Sequence, residues 1–167
     1  MSFKHNVRVY WEDTDAGGIV FYANYLKFLE RARTEWLRSL GIGQHKLKTD
    51  LGGMFVVSET HMKYLAPAVL DDELEIHTFV TEKGRTSLTL EQKAYRLNAP
   101  PLLNDNLQDE FSGPDNYNVE DIKKTKIDKV VTNSNLTLLC TGMIRIGWIN
   151  VQSGRPTRIP GFIQEIL

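Results

Sequence analysis

The stretch EDTDAGGIVFYANY, which runs from Glu12 to Tyr25, decides how this chain is interpreted. An alternating, strand-like pattern ends just before it, its carboxylates surround a Gly-Gly pair, and a strongly amphipathic segment follows at once. A carboxylate beside a helix N-terminus lies next to unpaired backbone N–H groups and the positive end of the helix dipole. Such an arrangement can hold a reactive carboxylate and polarise a carbonyl on one small scaffold. We therefore expect any chemistry to take place here.

A purely structural interpretation competes with this one, because acidic residues near a helix start are common as caps. The stretch nevertheless has more acids than one cap requires, and we expect Asp13 to support the turn. Gly17 and Gly18 allow the backbone to approach a ligand closely. An apolar pair that would form a dry wall follows them, so the candidate substrate contacts are Gly18, Ile19 and Val20.

The hydrophobic pattern predicts one long helix and five strands. Apolar residues at three- and four-residue steps predict a helix from Tyr22 to Leu40. Alternating residues predict strands at 7–11, 54–64, 74–81, 86–94 and 136–148. Tight turns such as the one at Gly84 favour antiparallel pairing. The fold class is therefore α+β, with the helix lying across an antiparallel sheet of about five strands.

Length and composition indicate a single domain over residues 1–167. Residues 98–135 interrupt the pattern with prolines, glycines and many charges, and we expect a flexible insertion there. The hydrophobic content of 41% and the formal net charge of −1 point neither to nucleic acid nor to an anionic membrane. No apolar run approaches the roughly 20 residues that a membrane span needs.

The single cysteine, Cys140, excludes an internal disulfide and favours a reducing cytoplasm. It lies in an apolar alternating run, which predicts a buried side chain. The four histidines, His5, His45, His61 and His77, do not cluster at metal-ligand spacing. We therefore expect no metal site, and a carboxylate that acts together with a backbone N–H donor needs no tightly bound cofactor for its chemistry.

Three motifs resemble the hot-dog-fold acyl-CoA thioesterases. The first is VYWEDTDAGGIV at 9–20, continuing into YLKF at 25–28 and ERARTE at 30–35. The second is YLAPA at 64–68, followed by DD at 71–72 and LEI at 74–76, and the third is GRTS at 84–87. The likeness is to the 4-hydroxybenzoyl-CoA thioesterase class and its YbgC-like branch, which is linked in bacteria with the Tol-Pal envelope system. The first motif is long and specific, whereas the other two are weak alone.

This resemblance implies a helix wrapped by a curved antiparallel sheet, and a dimer with one continuous sheet and two active sites at its interface. The dimer is often doubled to a homotetramer in the family. The catalytic carboxylate of the family falls on Asp15, and its backbone N–H donor falls on Tyr22. The YbgC-like branch usually has His at the position of Tyr22, whereas the benzoyl class has Tyr, so the choice of acyl group stays open.

Other charged residues have competing interpretations. Lys83 and Arg85 flank the turn at Gly84, where they are expected either to bind coenzyme A phosphates or to be solvated at a hairpin tip. Glu30 is the rival catalytic residue, because other hot-dog thioesterases place their carboxylate on this helix. An ion pair between Glu30 and Arg33 on the helix surface is the plainer alternative.

Hydrolysis of an acyl-CoA thioester is the leading function from the sequence. A hydratase or dehydratase acting on acyl thioesters is one alternative, although it would require a His near the carboxylate. A non-catalytic module that binds acyl-CoA or an acyl carrier protein is the other. An acyl carrier protein is also the alternative carrier of the substrate for a hydrolase.

Overall fold

The fold contains five strands and three helices in the part of the chain that the structure, a computed structural model, describes: residues 2–97 and 135–167. The elements are β1 (Phe3–Arg8), α1 (Asn24–Ser39), α2 (Gln44–Leu51), β2 (Gly53–Tyr64), β3 (Glu73–Lys83), β4 (Ser87–Leu97), β5 (Leu136–Asn150) and α3 (Gly161–Ile166). Within these ranges no helix has the length and apolar character to cross a membrane. The insertion predicted at 98–135 lies, except for its last residue, outside the described residues.

The strands form one antiparallel sheet in the order β1-β3-β4-β5-β2. Strand β2 follows the two helices in sequence but pairs with β5 at the far edge, so β1 and β2 are the two edge strands. Strands β3 and β4 form a hairpin whose ladder extends to β5. The α+β class, the long helix and the five antiparallel strands are all as predicted.

Helix α1 packs its apolar side against one face of this sheet. Phe28, Leu29 and Ala32 of the helix are fully buried, as are Leu74 and Leu90 of the strands. Full burial of a large apolar side chain stabilises the fold by about 1.5–3 kcal/mol. This shared core fixes where the helix begins relative to the sheet.

A buried polar network also joins α1 to the sheet. The Arg33 guanidinium donates to Gln92 Oε1 at 2.7 Å. The Gln92 amide in turn donates to the Leu29 carbonyl at 3.0 Å and to Thr78 Oγ1 at 2.9 Å. Buried polar groups are costly unless they are paired, so these directional contacts restrict how α1 can shift on the sheet.

The first strand differs from its prediction at both ends. It spans Phe3–Arg8 and not 7–11, because the backbone leaves the ladder after Arg8. Val9 stays fully buried and donates its N–H to the Asp72 carbonyl at 2.9 Å. The chain then enters a 3₁₀ turn at Trp11–Asp13, and the Trp11 side chain is 79% exposed. The alternation therefore predicted correctly that Val7 and Val9 are buried, but it did not predict that the strand ends at Arg8.

The helices also differ in detail from the prediction. α1 begins at Asn24, two residues later than predicted, so Tyr22 lies in the turn before the helix. The short helix α2 was not predicted. It ends at Leu51 and is capped by Gly52, whose φ of +60° favours glycine.

Candidate active site

A short two-stranded loop positions the predicted site residues. Thr14 and Val20 form an isolated antiparallel bridge, and the Asp15 N–H donates to the Ile19 carbonyl at 2.9 Å. At the open end of the loop, the Phe21 N–H donates to the Asp13 carbonyl at 2.9 Å. These bonds place Asp15 at the turn and bring the chain back to the start of α1, next to Tyr22.

The Asp15 side chain is exposed at the tip of this loop. Its Oδ1 accepts the Gly17 N–H at 2.8 Å, and the Gly18 N–H donates to the Asp15 carbonyl at 2.9 Å. Gly18 has a φ of +72°, in the left-handed region that favours glycine. The two glycines thus complete a turn that orients one carboxylate oxygen by hydrogen bonding. Among the described residues, the other oxygen of Asp15 accepts no hydrogen bond.

The Tyr22 N–H is available to a ligand. In the part of the chain that the structure describes, it donates no hydrogen bond, although the neighbouring Phe21 and Asn24 N–H groups both do. It lies just before the first turn of α1, where unpaired N–H groups and the helix dipole favour negative charge. The loop therefore combines an exposed carboxylate with a free amide donor.

Asp13 and Asn24 anchor the loop to the helix. Asp13 is only 2% exposed, and its Oδ2 accepts the Tyr10 N–H at 2.9 Å. The buried Asn24 amide donates to the Asp13 carbonyl at 2.9 Å. Asp13 thus has the turn-supporting position expected of it. The contribution of Asn24 was not predicted, because its partner is eleven residues away and follows no local pattern.

The apolar residues after the glycines divide between surface and core. Val20 is 4% exposed and belongs to the core, whereas Ile19 is 39% exposed. Phe21, Tyr22 and Val69 are also between 40% and 63% exposed. Of the predicted apolar substrate contacts, only Ile19 presents its side chain at the surface near Asp15. The exposed aromatic and aliphatic side chains form an apolar surface beside the loop.

A cluster of tyrosines lies at the start of α1. The Tyr64 hydroxyl donates to the Tyr22 carbonyl at 3.0 Å, and the Tyr25 hydroxyl accepts the Ala68 N–H at 3.0 Å. The Tyr64 ring centroid is 5.7 Å from that of Tyr25 and 6.4 Å from that of Tyr22. Burial raises the pKa of Tyr25 to about 12 and also raises the pKa of Tyr64. Both hydroxyls therefore stay protonated at neutral pH.

Glu30 lies on α1 beyond the loop, and its carboxylate forms an ion pair with Arg33. The Glu30 side chain is 52% exposed, whereas the Arg33 side chain is 9% exposed. The carboxylate is therefore already engaged with the guanidinium that enters the buried Gln92 network. This contact is the helix-surface ion pair that the sequence suggested as the alternative to a catalytic role for Glu30.

Lys83 and Arg85 lie far from Asp15 in the same chain. The Asp15 loop contacts the segment just before β3 through the Ile19–Val69 bridge, whereas Lys83 ends that strand. Ten residue steps of about 3.3 Å separate the two ends of β3 by about 33 Å. Among the described residues, neither basic side chain pairs with a carboxylate.

An open groove of about 320 Å³ lies at this hairpin tip. It is lined by Lys83, Gly84, Arg85, Leu88, Gln164 and Leu167. The Gln164 amide donates to the Gly84 carbonyl at 3.1 Å and holds α3 against the hairpin. The tip therefore presents, beside a concave surface, two cations that have no ion-pair partner among the described residues.

Neither the histidines nor the cysteine makes a hydrogen bond or an ion pair with Asp15 in the part of the chain that the structure describes. His77 pairs with Glu75 on the sheet face opposite α1, and His61 pairs with Glu59. Burial acts to raise the pKa of Glu75, but hydrogen bonds from His77 and Lys4 outweigh it, so the net effect is a lowered pKa. In the described ranges no three His, Cys, Asp or Glu side chains converge on a metal-sized site. Cys140 is fully buried as predicted, and burial raises the pKa of its thiol to about 12.

Comparison with known proteins identifies the family. The thioesterase superfamily model matches residues 17–99, a range that includes Tyr22 and begins two residues after Asp15. The acyl-CoA thioesterase YbgC of Haemophilus influenzae is 46% identical over 94 residues, which cover 56% of this chain and 69% of that protein. The acyl-CoA thioesterase YbgC of Helicobacter pylori (strain 26695) is 29% identical over 160 residues, 96% of each chain.

Solved structures agree with this result. A probable thioesterase from Bartonella henselae superposes with a TM-score of 0.68 and 25% identity, covering 96% of this chain and all of that one. The hot-dog fold expected from the resemblance is thereby confirmed. The likeness to YbgC proteins and to the structure of a probable thioesterase also agrees with the family inferred from the three sequence motifs.

Proposed function

This chain belongs to the thioesterase superfamily, and we propose that it hydrolyses the thioester of an acyl-CoA at the loop around Asp15. The observation that supports this most directly is the combination of the exposed Asp15 carboxylate with the free Tyr22 N–H on one loop. Relatives that carry the name acyl-CoA thioesterase supply the reaction class and the substrate class.

In the proposed mechanism, the thioester carbonyl oxygen lies against the Tyr22 N–H at the start of α1. Negative charge develops on this oxygen in the transition state, and one such donor is worth roughly 3 kcal/mol. Asp15 either attacks the carbonyl carbon, which releases the thiolate and gives a mixed anhydride that water then cleaves to the free acid and the Asp15 carboxylate, or removes a proton from the water that attacks the carbonyl carbon and displaces the thiolate. The thiolate is a good leaving group because it is only weakly basic, as the pKa of about 8.5 for free cysteine indicates. The proposed chemistry therefore uses no metal or cofactor.

We propose that a second copy pairs along the exposed edge of β2, as the resemblance implies. β2 is a twelve-residue edge strand, and an unpaired edge is suited to strand addition. A two-fold axis normal to the sheet reverses the partner, so the partner's β3–β4 hairpin comes to the end of the sheet where Asp15 lies. Lys83 and Arg85 would then meet coenzyme A phosphates bound at the site of the other subunit. Within one chain, by contrast, the length of β3, about 33 Å over ten residue steps, lies between the hairpin tip and the end of the sheet near the Asp15 loop.

The finer assignments follow from the same proposal. We propose a homodimer or a dimer-of-dimers homotetramer in the cytoplasm, with coenzyme A as the carrier and an acyl carrier protein as the alternative carrier. Sedimentation equilibrium measures the assembly. Parallel assays with acyl-CoA and with the same acyl group on carrier protein measure the carrier preference.

The experiment that tests the function is thiol release over a panel of short, long and aromatic acyl-CoA substrates, with Asp15→Asn beside the wild type. General-base or nucleophilic groups contribute about 10²–10⁴-fold, and we expect a loss of kcat in that range. Asn keeps an Oδ1 that accepts the Gly17 N–H, so thermal unfolding should be unchanged. A folded Asp15→Asn protein with near-normal hydrolysis would show that the carboxylate is not the reacting group.

The same panel separates the other candidate functions. A binding module would retain acyl-CoA without releasing thiol, and a hydratase would alter the acyl chain without releasing thiol. If thiol is released, a single turnover in heavy-oxygen water distinguishes the two roles of Asp15. Label that enters the Asp15 carboxylate demonstrates a mixed anhydride that water cleaves at the Asp15 carbon. Label confined to the product acid indicates a general base only if hydroxylamine also traps no acyl-enzyme, because water can cleave an anhydride at its acyl carbon too.

The phosphate role of the hairpin is tested with a Lys83→Ala/Arg85→Ala double variant. Both cations are exposed and distant from the loop, so we expect a higher KM for acyl-CoA with little change in kcat. Measurements at low salt maximise the effect, because screening weakens such contacts. An unchanged KM at low salt would contradict the assignment.

A further inference from the structure

The Tyr22 carbonyl is held by a side chain and not by the helix. In α1 the Leu26 N–H donates to the Ala23 carbonyl at 3.1 Å, which leaves the Tyr22 carbonyl outside the helical ladder. The Tyr64 hydroxyl occupies that acceptor instead, at 3.0 Å. Tyr22 therefore remains in the turn before the helix, with its carbonyl fixed by Tyr64.

Tyr64 is itself rigidly placed. It is the last residue of β2, where it pairs with Cys140 of β5, and the next N–H, that of Leu65, donates to the Leu139 carbonyl at 2.8 Å. Its ring makes an edge contact with Tyr25, which is 3% exposed. Strand pairing and the Leu65 hydrogen bond thus anchor the Tyr64 backbone on both sides. From this position the Tyr64 hydroxyl reaches the Tyr22 carbonyl.

We propose that Tyr64 is a positioning residue for the Tyr22 N–H that would stabilise the oxyanion. The inference rests on the proposed function and deepens it. On the N-terminal side of Tyr22, the Phe21 N–H donates to the Asp13 carbonyl. On its C-terminal side, the Tyr22 carbonyl accepts the Tyr64 hydroxyl. Together they restrain the backbone torsions on both sides of the residue, so the free N–H keeps one direction.

The physical consequence is preorganisation. A donor stabilises a transition state most when it already points at the developing charge, because no reorganisation is then needed during the reaction. Without the Tyr64 hydroxyl, the Tyr22 carbonyl can accept the Leu26 N–H and draw the turn into the helix. The N–H would then sample other directions and stabilise the oxyanion less well.

The test is Tyr64→Phe, which removes one hydroxyl and keeps the ring contacts. Loss of a neutral hydrogen bond of ordinary strength corresponds to a roughly three- to ten-fold fall in kcat. We expect a fall of this size for Tyr64→Phe, with a KM within twofold of the wild-type value. Tyr95→Phe is the matched control, because among the described residues the Tyr95 hydroxyl makes no hydrogen bond and lies on the opposite sheet face. We expect this control to keep the wild-type kcat.

Inhibitor binding separates positioning from a general structural role. A trifluoromethyl ketone analogue of acyl-CoA mimics the tetrahedral oxyanion, whereas an S-alkyl coenzyme A thioether has no carbonyl. For Tyr64→Phe we expect the ketone to bind more weakly by the factor lost in kcat and the thioether to bind unchanged. Equal weakening of both ligands, or an unchanged kcat, would overturn the proposal.

The proposed function fails in a different way. It fails if wild-type protein releases no thiol or if Asp15→Asn retains activity. The role of Tyr64 fails if Asp15→Asn is inactive while Tyr64→Phe remains fully active. The two outcomes are therefore distinguishable in one set of assays.

Discussion

The two adjacent glycines of the Asp15 loop should respond differently to the same added methyl group. A Cβ on Gly17 would lie 3.1 Å from Asp15 Oδ1, whereas a Cβ on Gly18 would meet no atom within 4 Å. Only Gly18 has a left-handed backbone, with φ of +72°. Gly17→Ala therefore perturbs the carboxylate, and Gly18→Ala perturbs the backbone.

The magnitudes follow from these contacts. For Gly18→Ala, the left-handed conformation costs about 1–2 kcal/mol. In a domain of this size that lowers Tm by about 2–8 °C. For Gly17→Ala, the carboxylate has to move by a few tenths of an ångström, and we expect a roughly tenfold fall in kcat, since a 1 Å misplacement can cost about 100-fold. The Tm of Gly17→Ala should change little, because the backbone of Gly17 is not left-handed and alanine adopts it without strain.

The assay is thiol release with saturating acyl-CoA, alongside thermal unfolding followed by circular dichroism. Each variant serves as the control for the other, because both add the same atoms to neighbouring positions. If Gly17→Ala keeps the wild-type kcat, the exact placement of the Asp15 carboxylate does not limit the reaction, and the geometric argument for this loop is wrong.

Three further predictions concern the fold. Gln92→Met removes the acceptor of one Arg33 N–H and the side-chain donor to the Leu29 carbonyl, so that the buried guanidinium keeps only its ion pair with Glu30. The variant should lower the free energy of unfolding by about 2–5 kcal/mol in denaturant titrations. The pKa of Glu75 is lowered in the folded protein, so its contacts with His77 and Lys4 stabilise the fold fully above its ordinary pKa of 4.5. This stabilisation is lost as the pH falls through the pKa that Glu75 has in the folded protein. Glu75→Gln should therefore be less stable than wild type at pH 7, with the difference shrinking below pH 4.5; a constant difference would contradict this. Cys140, fully buried with a pKa of about 12, should resist alkylation at pH 8 until the protein unfolds, and mass spectrometry measures the adduct.

The main elements were predictable because their side-chain periodicity is regular. Alternation along β3, with Leu74 and Ile76 fully buried, marks a strand that has one buried face. The apolar face of α1 likewise predicts a helix packed on a sheet. The start of α1 was less predictable, because the Tyr64 hydroxyl binds the Tyr22 carbonyl across 42 residues and holds Tyr22 outside the helix.

The candidate site was predictable only where its residues are consecutive. The Asp15 loop lies in one stretch, so its acids and glycines are visible together in the sequence. The contributions of Tyr64 and Asn24 arise from contacts between distant segments and leave no local pattern. The hairpin turn with Arg85 was predicted from its glycine, but its distance from Asp15 depends on the direction of β3 in the sheet.

The exposure of Trp11, on the turn that leads into the Asp15 loop, has a practical use. The other two tryptophans, Trp36 and Trp148, are 7% and 2% exposed. Aqueous iodide should thus quench the emission of Trp11 selectively, and the chain contains its own optical reporter a few residues from the carboxylate. Arrival of a ligand at the loop can be followed by intrinsic fluorescence without any attached dye.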